Sequence, residues 1–238
     1  MNTTEILGQK VHQLTLREAL NIIEQTIRTK HKQLFFALNI HVLLQLNHEQ
    51  EFKKKYEQHG IIFADGVPVV WLSKFTKNPL PGRVSGTDFV EHILQSKHNL
   101  FLIGSPKKNL VFLQKKHANI VGFFSPPFGS AWDKTVDTKI IQKINQVKPQ
   151  IILVGVGTLK QEKWLLHHFQ KLHSTYVGIG VGSAFEILSG EKPRAPLLFK
   201  NTGFEWLWRV CLEPKRLTFR YIRDFFSFVK LLLTYIRV

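Results

Sequence analysis

Six short apolar runs recur along the chain as far as about Gly190: Leu34 to Asn39, Ile61 to Ala64, Leu100 to Ile103, Ile120 to Phe124, Ile151 to Val154 and Tyr176 to Ile179. Several are continuous rather than alternating with polar residues, as in strands covered on both faces. The stretches between them repeat apolar residues at helical spacing: Thr15 to Thr29, Ser85 to Ser96 and Lys134 to Val147. In the last of these, Ile140, Ile141, Ile144 and Val147 form one stripe. Strand–helix alternation of this kind predicts a mostly parallel α/β sheet with helices on both faces. After Pro193 and Pro196 the pattern changes. From Phe204 to Val238 the chain carries seven basic residues, three acidic ones and many aromatics. We read 1–196 as the α/β domain and 197–238 as a basic helical appendage that is not needed to close the sheet.

Composition narrows the partners. With 44% apolar and 21% charged residues in 238, the chain has material for a core and a solvated surface, which excludes a disordered tail protein. The 33 Lys and Arg against 17 Asp and Glu give a formal charge of +16, which suits an anionic ligand, polymer or lipid surface. The single cysteine, Cys211, excludes an internal disulfide framework and a Cys-rich zinc site. Lying among Trp208, Val210 and Leu212, it reads as inert packing. The N-terminus lacks the apolar core of a signal peptide. The tract from Phe225 to Ile236, broken by Lys230, is too short and too charged to span a bilayer. The expected place is the cytosol or the cytosolic membrane face.

In an open parallel sheet, ligands bind beyond the C-terminal ends of the strands. Asn39, Asp65-Gly66, Gly104-Ser105, Gly155-Val156-Gly157 and Gly180-Val181-Gly182 all fall at such ends. A glycine turn leading into a helix lets backbone N–H groups approach a phosphate, although glycine also serves simply to make a tight turn. Asp65 admits three readings, one of them an Asp whose side chain simply bonds its own turn backbone. Asp65-Gly66 could make a hairpin, with Val69 to Leu72 returning as a strand, but Pro68 would remove a ladder donor. Alternatively Asp65 is a strand-end carboxylate able to act as a general base. Arg83 is either a surface arginine or a phosphate ligand, since guanidinium matches phosphate oxygens. Ser85 and Asp88 have the spacing of a helix-capping box. Lys160-Gln161-Glu162 opens the helix after the Gly157 turn, where polar residues are usually solvated, while Trp164 and Leu165 read as core. The histidines are scattered, no His-Glu-x-x-His occurs and the aspartates form no Asp-x-Asp, so no metal site and no cofactor is expected.

Taken in order, these motifs resemble the WecG/TagA/CpsF glycosyltransferases, glycosyltransferase family 26, over nearly the whole chain. The matching stretches include Ala64-Asp65-Gly66-Val67-Pro68, Arg83-Val84-Ser85-Gly86-Thr87-Asp88-Phe89 and Val154-Gly155-Val156-Gly157-Thr158-Leu159-Lys160-Gln161-Glu162. The most specific are Gly180 to Glu186, Arg194-Ala195-Pro196, Phe204-Glu205-Trp206-Leu207 and Glu213-Pro214-Lys215-Arg216-Leu217 with Arg220-Tyr221. The resemblance implies a Rossmann-like core without a required metal. It implies inverting transfer of an N-acetylmannosamine-type sugar (ManNAc or ManNAcA) from UDP to undecaprenyl-pyrophosphate-linked GlcNAc, in cell-surface polysaccharide or teichoic acid synthesis. By the same resemblance Asp65 is the base, and Asn39, Arg83 and Gln161 are site residues. The strand-end Gly104, Gly155, Gly157 and Gly182 join them as substrate-binding candidates. Lys215, Arg216 and Arg220 fall in the family's basic C-terminal segment. The chain departs from the pattern at Ala37, Ser183 and Glu186, where the family often has Thr, Gly and Asp, and at Lys215, where Arg is common.

The chemistry is consistent with that resemblance. UDP leaves with negative charge, which arginine and helix-end N–H groups can meet. The basic, aromatic C-terminus suits an interfacial helix on an anionic inner-membrane surface, or else an ordinary basic helix packed on the core. The expected partners are thus a UDP-sugar donor, the lipid-linked acceptor and the membrane face, with a homo-oligomer left open. Two rival classes remain. A nucleic-acid-binding module would interleave aromatic and basic residues on a stacking platform, whereas here the aromatics concentrate near the C-terminus. A dinucleotide oxidoreductase would need a G-x-G-x-x-G fingerprint, which is absent.

Overall fold

The computed structural model describes residues 1–127, 134–196, 199 and 205–236, apart from the side chains of 216 and 236. The chain opens with a hairpin of β1 (Thr3–Ile6) and β2 (Gln9–His12). There follow α1 (Leu16–Arg28), β3 (Gln33–Leu38), α2 (Ile40–His48), α3 (Gln50–His59), β4 (Gly60–Ala64) and α4 (Val67–Ser73). Next come α5 (Gly86–Leu94), β5 (Leu100–Gly104), α6 (Lys107–Lys116), β6 (Ile120–Phe124) and α7 (Lys134–Val147). The sheet is completed by β7 (Ile151–Gly155), α8 (Lys160–His168), β8 (Val177–Gly180) and α9 (Ala184–Leu188). Two helices end the described chain, α10 (Glu205–Leu212) and α11 (Pro214–Ile236).

Strands β3 to β8 form one parallel six-stranded sheet in the order β4-β3-β8-β7-β5-β6. All six strands expected from the apolar runs are present within a residue or two of their expected bounds. Their continuous apolar character has a direct cause. Alternate residues of each strand feed two separate cores, one on each face. Phe36, Leu38, Ile103, Ile152 and Val154 pack with α2, α7 and α8 on one face. Phe35, Phe63, Leu102, Leu153 and Ile179 pack with α1, α5, α6 and α9 on the other. The helical stripe behaves as its spacing requires: Ile140 and Ile144 are fully buried, with Ile141 and Val147 packed beside them.

Three local readings change. The N-terminal hairpin has no counterpart among the apolar runs. Its two-residue turn, Leu7-Gly8, puts both residues at positive φ, 48° and 72°, the geometry that matches the twist of paired strands. His12 of β2 then covers the open edge of β4 by accepting a 3.0 Å bond from the Ile62 N–H. The segment after Asp65-Gly66 is the helix α4 rather than a returning strand, and Pro68 sits in its first turn, where its missing N–H costs nothing. Cys211 is exposed, not packed.

Helices α10 and α11 lie outside the sheet. On α11, Leu217 and Asp224 are buried, and Leu231 packs against the core. Phe219, Ile222, Phe226, Val229 and Leu233, spaced three and four apart on the opposite face, are all exposed. No helix among the described residues is long and apolar enough to cross a membrane.

Candidate functional site

The strand order itself locates a crevice. The chain leaves β5 towards β6 and leaves β7 towards β8, in opposite directions along the sheet. Adjacent strands with opposite exits open a gap at their C-terminal ends. Gly104 and Gly155 are register partners there. Gly104 has φ +112°, and a Cβ on it would strike the Gly155 backbone. A Cβ on Gly155 would come within 2.7 Å of the Gly182 carbonyl oxygen. The glycines thus let three strand ends close into a floor of backbone, with Val156 and Phe185 packed against it. Gly157, at φ +103°, turns the chain into α8.

Asp65 stands at the other end of this edge, just past β4. Its Oδ1 accepts a 2.8 Å bond from the Gly86 N–H at the start of α5. A Cβ on Gly86 would sit 3.2 Å from the Asp65 carboxylate, so a larger residue there would nudge the carboxyl from its place. The loop reaches this position because the Val84 N–H continues the β4 ladder to the Ala64 carbonyl. Arg83 wraps the same residue: its Nε donates to the Asp65 carbonyl at 2.9 Å, and its Nη2 lies 3.5 Å from Oδ1. Its side chain is only 16% exposed, which removes the surface-arginine reading. Asn39 is next door. Its Oδ1 caps α2 through the Val42 N–H, and its Cβ faces Gly66.

The electrostatics of the carboxylate are balanced. Although a quarter of the side chain is open to solvent, crowding around the carboxyl raises its pKa above the usual range. Arg83, the Gly86 N–H and Arg209 oppose that rise, and Glu205 adds to it. Glu205 and Arg209 come from α10. Glu205 accepts from Arg83 Nη2 at 2.7 Å through one oxygen and from Arg209 Nη2 at 3.0 Å through the other. Burial pushes the Glu205 carboxyl up, but the two arginines outweigh it and hold the group below its ordinary value.

Gln161 takes a different position from the solvated one its place in a first helical turn suggests. It is buried, its Oε1 accepts from the Gly182 N–H at 3.0 Å, and its Nε2 donates to Glu162 at 2.8 Å. It therefore fixes the glycine turn from behind. Glu162 is buried too, its Oε1 taken by that bond from Gln161, and α8 starts after Leu159, a residue held at φ 59°. Burial raises the Glu162 carboxyl to about 7, and its second oxygen has no hydrogen-bond partner among the described residues. Ser85 caps α5, while Asp88 meets Arg194.

On α11, Lys215 is exposed. Arg220 stacks 5.0 Å over Tyr221 and lies near His41 of α2. The Arg216 side chain lies outside the described residues. His41 Nδ1 meets Asp224 Oδ2 at 2.7 Å, tying α11 to the first turn of α2, two residues from Asn39. Among the described residues, no three His, Cys, Asp or Glu gather as metal ligands would.

The sequence profile of the glycosyl transferase WecG/TagA/CpsF family matches residues 4–238. The chain belongs to this family. Among its relatives is the N-acetylglucosaminyldiphosphoundecaprenol N-acetyl-beta-D-mannosaminyltransferase of Staphylococcus aureus strain NCTC 8325 / PS 47. The two are 28% identical over 223 residues, covering 90% of this chain and 86% of the relative. The protein of the same name from strain MRSA252 is similar to the same extent.

As a glycosyl transferase, the chain keeps Asp65, Asn39, Arg83 and the four glycines along one sheet edge. Sequence reasoning gave no role to Glu205, His41 or Asp224. The spacing of Glu205 and Arg209, four apart on one helix, was the available signal for the first.

Proposed function

We propose that this glycosyl transferase moves an N-acetylmannosamine-type sugar from UDP to undecaprenyl-pyrophosphate-linked GlcNAc, with inversion at the anomeric carbon and Asp65 as the general base. The observation that carries this reading is the Asp65 carboxylate itself. It is held by the Gly86 N–H and Arg83 beside Asn39, at the rim where a parallel sheet presents its ligands. The activity of the relatives, by their names N-acetylmannosaminyltransferases acting on N-acetylglucosaminyldiphosphoundecaprenol, supports the sugar and the acceptor class.

In a single displacement, Asp65 takes the proton of the acceptor hydroxyl as that oxygen attacks the anomeric carbon. The bond to the UDP oxygen breaks with its electron pair, so the sugar is delivered with inversion. The glycine floor at Gly104, Gly155, Gly157 and Gly182 offers backbone close to the donor diphosphate. Arg83, with Lys215, Arg216 and Arg220, supplies positive charge for the leaving group. Residues 197–238 act as an appendage that rests on the inner membrane face. The exposed apolar stripe of α11, edged by the exposed Arg223 and Lys230, has the makeup of an interfacial helix on anionic lipid. A panel of UDP-sugars offered with a short-chain lipid-pyrophosphate-GlcNAc acceptor, with products read by mass spectrometry, tests the reading. Transfer from UDP-ManNAc or UDP-ManNAcA is expected. Transfer from another UDP-sugar alone would replace the donor assignment.

A further inference from the structure

Arg83 has two carboxylates to serve, and the geometry is unequal. Its Nη2 is 2.7 Å from Glu205 and 3.5 Å from Asp65. Glu205 is itself anchored on its other oxygen by Arg209, one helical turn further along α10. The result is a row of alternating charge, Arg209, Glu205, Arg83, Asp65, that runs from the C-terminal helices into the site. Arg83, Glu205 and Asp65 are 16%, 19% and 25% exposed, and Arg209 at the outer end is 37% exposed, so the inner three interact where charge is weakly screened. Left with Asp65 alone, the Arg83 guanidinium could close on Oδ1 and form a tight ion pair. An acid locked in such a pair is a poor base.

We propose that Glu205 is a positioning residue for the transfer: reaching in from the appendage, it draws the Arg83 guanidinium off the Asp65 carboxylate and leaves the base free to take a proton. This rests on Asp65 being the base. It gives α10 a task separate from membrane attachment, since the same contact that docks the helix readies the site. The charged groups facing Asp65 are Arg83 from the loop before α5 and Glu205 and Arg209 from α10. Their signs make the inference directional. Removing the Glu205 charge takes away a like charge and releases Arg83 onto Asp65, both of which make Asp65 a stronger acid. Removing the Arg209 charge does the opposite on both counts.

The test uses the full chain with carbon-13-labelled aspartate, and Asp65→Asn identifies the Asp65 carboxyl signal. Its titration is followed by NMR in wild type, Glu205→Gln and Arg209→Gln. The acidic limb of kcat/KM is measured on a short soluble acceptor in the same three proteins. The Asp65 midpoint should fall by about one pH unit in Glu205→Gln and rise in Arg209→Gln, with the acidic limb following each. Loosening of α10 alone would move both variants the same way. A midpoint unmoved in both, or displaced in the same direction in both, overturns the proposal. Midpoints that split as stated while the acidic limb stays fixed in both would show that Asp65 is not the base, and the positioning role of Glu205 would fall with that reading.

Discussion

The parallel sheet and the C-terminal helix pair follow opposite rules. Strands β5 and β7 are buried along their whole length, and their apolar side chains are consumed by two cores. Helix α11 buries a narrow seam and leaves Phe219, Phe225 and Phe226 at 73%, 62% and 68% exposed. One region is held by packing, which is cooperative. The other is held by that narrow seam, Leu217 and Leu231, and by polar contacts such as Glu205 to Arg83 and His41 to Asp224, each of which one substitution can remove. The difference suggests a division of labour. The sheet fixes where Asp65, Asn39 and the glycine turns stand, and the helices bring charge to them on docking.

The sharpest way to break the comparison is to truncate a phenylalanine in each region. Phe101→Ala in β5 should cost about 3–5 kcal/mol, the usual loss for a fully buried aromatic. Phe226→Ala on α11 should stay within about 0.5 kcal/mol, as exposed positions do. Chemical denaturation read by circular dichroism separates the two, and equal losses would mean that α11 belongs to the core.

Glu162 sharpens the picture on the sheet side. Its folded carboxyl titrates at about 7 against an ordinary 4.5, so between those values the folded state holds the proton more tightly than the unfolded chain. Stability should therefore fall as pH rises through that window, by about 3 kcal/mol in all. Glu162→Gln should flatten this dependence. Denaturation midpoints at pH 5 and pH 8, with and without the substitution, check it. A slope unchanged by the substitution would assign the dependence elsewhere.

On the helix side, deleting the chain after Asp224, which keeps the His41 contact, should weaken binding to anionic liposomes while sparing turnover on a soluble acceptor. The loss includes the apolar stripe beyond that point and about 1 kcal/mol of attraction for each basic residue near the surface. Sedimentation with vesicles gives the comparison, and undiminished binding would move the anchor elsewhere in the chain. The smallest expected effect is that of a chelator. With no Asp-x-Asp in the sequence and no cluster of three ligands among the described residues, turnover should survive excess EDTA. Loss restored by Mg²⁺ or Mn²⁺ would contradict this.

The sheet was legible because burial on both faces writes continuous apolar runs such as Ile151 to Val154, and Asp65 and the glycines stood out by falling at their ends. The N-terminal hairpin was not legible, since four-residue strands such as Thr3–Ile6 leave little periodicity to read. Gln161 and Glu162 look solvated in sequence because a polar first turn usually is. Their burial follows from the Gly182 turn folding over them, a long-range fact. The link from Glu205 to Arg83 joins residues 122 apart, and no local pattern carries it.

The central claim is that Asp65 takes the acceptor proton. Single-turnover transfer from UDP-ManNAc or UDP-ManNAcA to a soluble lipid-pyrophosphate-GlcNAc analogue, compared between wild type and Asp65→Asn, tests it most directly. The substitution preserves the shape of the side chain and the acceptor oxygen for the Gly86 N–H, so the fold and UDP affinity should be kept. Transfer should drop by about 10²–10⁴-fold, the usual contribution of a general base. An Asp65→Asn protein that folds, binds UDP and transfers sugar at close to the wild-type rate would contradict the account.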